Sequence, residues 1–178
     1  MQTDFFEILA ECSIALAGFG AIHAALQGIG GPRGTLRAWF VVCQGAMAFS
    51  LCLLVLLLDL SSLSGTVLWR VAGVIGVLPL GGLVYAFLRV DARMTSLGYP
   101  PQALLNLRTA QTMCVVSTLL LLSNATGVPW AAGPLFFGIA VTFILISGLL
   151  ALIHSFFVPL QASLSGEHNE PEIERPVA

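Results

Sequence analysis

Charge is what this sequence most lacks. Only 9% of its 178 residues are charged, and lysine is missing altogether, leaving arginine as the whole basic complement. Soluble domains carry roughly 25% charged residues; a soluble fold of this size would have too little polar side chain to cover its surface. Lipid is therefore the expected solvent for most of the chain, in keeping with a 57% hydrophobic composition and a mean hydropathy of +0.95. A net charge of −2 and scattered arginines exclude nucleic acid as a partner. The absence of lysine is read as codon bias, with no mechanism attached.

Other absences narrow the function. The four cysteines, Cys12, Cys43, Cys52 and Cys114, lack the close pairing of a zinc or redox motif and read as small hydrophobes in apolar runs. There is no Gly-x-Ser-x-Gly elbow, phosphate loop or His-Glu-x-x-His, so no nucleophile or base can be nominated and an enzyme is not expected. No positive segment or cleavage site marks a signal peptide. Asn124-Ala-Thr126 matches a glycosylation sequon but is a weak sign on its own. No internal repeat and no soluble domain are visible.

What is present is a set of apolar runs. Crossing the hydrocarbon takes about 20 such residues, and five segments qualify: 5–27, 38–58, 67–88, 109–127 and 135–157. The fourth has the shortest apolar core, MCVVSTLLLL, and its helix is expected to start earlier, after Pro100-Pro101. The expected fold class is all-α, a polytopic helical bundle in the membrane over residues 1–159. A polar, acidic, Pro-containing tail over 160–178 is too poor in apolar residues to fold alone. Arg33 and Arg37 lie in the first loop, and Arg89, Arg93 and Arg108 flank the third against one acid, Asp91, whereas the second and fourth loops carry no charge. The positive-inside rule then places the N-terminus outside and the C-terminus inside. Trp69 and Trp130 fall at the outer interface and Trp39 at the inner one.

The first span, DFFEILAECSIALAGFG, carries three carboxylates and no cation. On a helix, Asp4, Glu7 and Glu11 fall within an arc of roughly 60°, and the stripe continues inward through Ala15, Gly18, Ile22 and Ala25. Around a symmetry axis such helices would form an acidic mouth above a narrow apolar neck, the plan of many cation pores. A flank of Ala10, Ala17, Ala21, Ala24 and Gly28 would let helices approach closely. Asp4 and Glu7 also suit a helix N-terminus. Glu11 lies about 10 Å deeper than Asp4, where a carboxylate needs protonation, water or a partner. Two accounts stay open: pore lining, or a structural pair with Arg70, for which Asp59 competes.

A second polar layer toward the inner side comprises His23, Gln44 and His154. Two histidines on different spans allow axial haem ligation or proton sensing, but interhelical hydrogen bonding is the commoner role and no cofactor is expected. Pro79, with Gly81 and Gly82, marks a hinge or packing bend in the third span. Asn124 and Gln111 need no special role.

The run LAECSIALAGFGAI at 9–22, with an Arg-bearing loop and a second apolar helix after it, resembles small bacterial multispan membrane proteins that have a Glu before an Ala-Gly-Phe segment, here Glu11, Ala17, Gly18 and Phe19. The resemblance covers the first two spans. It implies a bacterial inner-membrane location and no activity. The functional expectation is a homo-oligomeric channel for small cations, lined by the first helix. The alternative is a non-conducting scaffold bound to other membrane subunits, and a haem or quinone redox protein comes third.

Overall fold

The computed structural model describes residues 2–27, 32–61, 63, 65–96, 101–127 and 133–164, with side chains placed for most of them. Five helices follow in order: α1 (Gln2–Gln27), α2 (Pro32–Leu60), α3 (Gly65–Ser96), α4 (Pro101–Thr126) and α5 (Pro134–Leu164). Three begin on a proline, whose fixed φ and missing N–H suit the first helical position. Four of the five, α1, α2, α3 and α5, are long and apolar enough to cross a membrane. The helices run a turn or more beyond several of the expected spans, and α4 begins at Pro101. One expectation needs correction: α5 continues to Leu164, so residues 160–164 are helix, not tail. A proline removes one helical bond without necessarily ending the helix, and Pro159 does not end this one. Residues 165–178 and Trp130 lie outside the described residues.

Named contacts fix the topology. Gly45 on α2 sits against Ser13 and Ala17 of α1, and Val41 against Gly20, so α1 and α2 are antiparallel. Gly73 meets Asn124 and Ala125, Gly76 meets Leu121, and Asp91 pairs with Arg108, which makes α3 and α4 antiparallel. Ser117 reaches Ala140 and Asn124 reaches Gly133, so α4 and α5 are antiparallel too. Helices α2, α3, α4 and α5 form a ring. Helix α1 lies outside that ring, against α2 and, less closely, α5.

The core is layered along the bundle axis. At one end Phe6, Trp69 and Phe137 cluster, with ring centroids 5.7–6.0 Å apart. Aliphatic side chains fill the middle, among them Leu51, Leu80, Leu121 and Ile144, all 2% exposed or less. Phe40 and Phe87 meet edge to face at 4.6 Å toward the other end. The Phe6 cluster and the Phe40–Phe87 pair thus lie near opposite ends of the apolar interior.

Helix α4 is the most polar of the five, and its polar side chains mostly turn back on backbone carbonyls. Thr112, Thr118 and Ser123 donate to the carbonyl four residues before them, and Ser117 bridges Met113 and the α5 carbonyl of Ala140 at 2.9 and 3.0 Å. Such back-bonding hides hydroxyl groups from an apolar surrounding. Asn124, read from sequence as needing no role, is fully buried, and its Oδ1 accepts the Gly133 N–H at 2.8 Å. Sealed in this way, it does not stand as a glycosylation acceptor. Asn124→Ala is expected to lower stability by about 1–3 kcal/mol, because a partly buried N–H loses its acceptor; thermal unfolding in detergent measures this.

Candidate functional site

Helix α1 divides into two faces. Phe6, Leu9, Ser13, Leu16, Gly20 and His23 are buried toward α2 and α5. Asp4, Glu7, Glu11, Ala15, Gly18, Ile22 and Ala25 are all exposed, on an arc roughly 180° from the buried set. A side chain added at Gly18 would meet nothing within 4 Å, and Ile22 is 59% exposed. The acidic stripe therefore points directly away from the protein's own interior. Phe6, Leu9 and Leu16 fill the α1–α2–α5 junction from one side of the helix, while Ile8, Ile14, Phe19 and Ile22 stay exposed.

The structure does not bring Glu11 and Arg70 together. Arg70 donates from Nη2 to the carbonyl of Gly127 at 3.3 Å, on the turn that ends α4. Register and direction explain this. The Phe6–Trp69 contact sets Arg70 level with Glu7, leaving Glu11 about 6 Å deeper and on the far side of a helix whose backbone does not approach α3. Asp59 is exposed at the end of α2 and, among the described residues, pairs with neither Arg70 nor another cation. Arg108 Nε pairs with Asp91 Oδ1 at 3.3 Å, between α3 and α4.

The small-residue flank of α1 is largely spent within the chain. Ala10 is buried, Ala17 lies against Gly45, and Ala24 is half-buried, whereas Ala21 faces outward. Sequence reasoning missed Gly45 as the other half of this contact. A glycine three residues from Ala48 within an apolar helix was the available signal.

The inner polar layer is partly assembled. His23 is 4% exposed and Gln44 fully buried, while the side chain of His154 lies outside the described residues. Gln44 sits at the middle of the bundle, with its amide oxygen beside Gly148 of α5. The Cys114 thiol is its neighbour, yet neither amide atom has a well-formed hydrogen bond among the described residues. A buried amide in that state costs stability. Gln44→Met, which keeps the shape and removes the polar atoms, is expected to raise the unfolding midpoint in detergent.

The cysteines divide by position. Cys52 and Cys114 are buried, Cys43 is half-buried, Cys12 is exposed on α1, and all four are free. Among the described residues no group of three or more His, Cys, Asp or Glu side chains converges to hold a metal ion.

The region taken as a hinge is a continuous part of α3, which passes through Pro79 without interruption. Gly81 and Gly82 have open space beside them; Gly73 and Gly76 are the glycines that pack, against α4 and against Leu51 and Leu121. Comparison with protein-family models, curated proteins and solved structures finds no match, so the case for function rests on this geometry alone.

Proposed function

We propose that this chain is a membrane protein whose copies assemble around α1 into a channel for small cations. The observation that carries the proposal is the orientation of the acidic stripe. Glu11 is exposed on the outer face of α1, at a depth where an isolated carboxylate in lipid is expensive, and among the described residues no cation pairs with it. Turned toward a shared axis, Glu7 and Glu11 would stand in water and attract cations, and Gly18 to Ile22 beneath them would form a neck narrow and apolar enough to gate by dewetting. Asp4 would widen the acidic mouth.

In this reading α4 crosses the bilayer with the other four helices. Its 26 residues span about 39 Å, and its hydroxyl groups are already bonded to backbone. Five crossings put the termini on opposite sides, and the arginine-bearing loops put the N-terminus outside. Neither His23 nor Gln44 lies on the path, because both face the protomer's interior.

A second reading has one observation in its favour. The open space at Gly18 would also admit the backbone of an unlike helix, one bearing a cation for Glu11, and the chain would then be a non-conducting subunit. Purified protein reconstituted alone into liposomes separates the two. The channel reading expects cation flux above that of empty vesicles and a discrete oligomer by mass. A monomer without flux overturns it.

A further inference from the structure

Away from α1, helices α2 and α3 are consecutive in sequence yet touch far less than α1 and α2 or α3 and α4 do. Between them a groove of about 500 Å³ opens to the lipid side, lined chiefly by Cys43, Met47, Ser50, Ile75, Pro79 and Leu83. That volume is in the range of small-molecule sites. Its lining is mostly apolar, but the sequence itself frees a backbone acceptor at residues that line it. Pro79 has no N–H, so the carbonyl of Ile75, one turn earlier, loses its regular helical donor. Both residues line the groove. Ser50 donates its own proton to the Ala46 carbonyl at 2.8 Å and so offers this space only acceptor lone pairs.

Depth restricts what can answer these acceptors. Pro79 lies 12 residues into the expected span that begins at 67, about 18 Å along the axis and close to the middle of a hydrocarbon core about 30 Å thick. Phospholipid headgroups do not reach that level. Water there would be surrounded by Met47, Ile75 and Leu83. We propose that the groove binds a membrane-dissolved long-chain alcohol, its apolar body along α2 and α3 and its hydroxyl donating to the Ile75 carbonyl. The groove supplies the volume, and the proline supplies the hydrogen-bond preference.

The test uses two photoreactive probes on the purified full-length protein in liposomes: a diazirine-bearing dodecanol and its methyl ether, which has the same body and no donor. Crosslinked residues are located by mass spectrometry. The expected result is labelling concentrated in 43–54 and 75–83, with the alcohol favoured about fivefold over the ether, the size of one neutral hydrogen bond. Pro79→Ala returns an N–H to Ile75 and should bring the two probes level while the groove still labels. Ser50→Leu, which fills the lipid-facing rim without disturbing a buried contact, should reduce labelling by both. Equal labelling by the two probes in the unaltered protein overturns the proposal. So does labelling spread evenly over the lipid-facing residues of α1 and α5, a preference that survives Pro79→Ala, or a groove shielded from both probes by a second copy of the chain.

Discussion

Glu11→Gln is expected to reduce cation flux through reconstituted protein by about tenfold or more, since carboxylates at a pore mouth raise the local cation concentration by 10- to 1,000-fold. The substitution keeps size and hydrogen-bonding capacity and removes only charge. Glu11 makes no ion pair among the described residues, so the fold should be indifferent, and unfolding midpoint and oligomer mass should match the unaltered protein. Raising the salt concentration should narrow the difference between the two proteins, because screening weakens the attraction that the mutation removes. Flux that persists unchanged takes Glu11 out of the conduction path. A collapse of the oligomer together with the flux would point instead to a carboxylate that binds a cation on a neighbouring subunit.

The second large effect concerns how closely the helices approach. A Cβ at Gly45 would come within 2.8 Å of the Ala17 backbone nitrogen and 2.9 Å of the Ser13 carbonyl oxygen. At Gly73 it would meet the Ala125 nitrogen and Leu121 oxygen, both at 2.8 Å. Backbone cannot rotate aside as a side chain can, so Gly45→Val or Gly73→Val must push whole helices apart. Each should destabilise the protein by about 3 kcal/mol, the upper end of overpacking costs, and both should lower the unfolding midpoint in detergent sharply. Gly81→Ala and Gly82→Ala provide the contrast. Both positions are open, and the change should be neutral or slightly stabilising, since Ala favours helix. If all four variants behaved alike, the close approach at Gly45 and Gly73 would not be what holds those helices together.

This contrast shows where sequence reasoning stops. The apolar runs locate the helices, because the length of hydrocarbon to be crossed sets a scale that composition reveals. The acidic stripe could be read as well: helical period alone puts Asp4, Glu7 and Glu11 on one face. Which way that face points could not be read. The answer depends on Phe6, Leu9 and Leu16 filling a junction built by α2 and α5, and α5 is more than a hundred residues away in the chain. Arg70 and Glu11 looked like natural partners because topology gives them similar depth, but depth carries no direction. Asn124 drew no attention because a lone amide near a helix end is ordinary; its role appears only when the α4–α5 turn brings the Gly133 N–H to it. Gly73, Gly76, Gly81 and Gly82 of α3 look alike in sequence, and their neighbours on α2 and α4 divide them into two kinds.

The placement of α5 also bears on how the protein is made. It touches α1, α2 and α4 and supplies Phe137, Ala140, Val141 and Ile144 to the interior, yet it is the last of the five helices to leave the ribosome. The hairpins α1–α2 and α3–α4 can each close as soon as their second arm is inserted, but they meet one another mainly through this late arrival. Until then the Phe6–Trp69 contact lacks Phe137, the third ring of its cluster, and the nascent chain is two loosely joined hairpins waiting for their keystone.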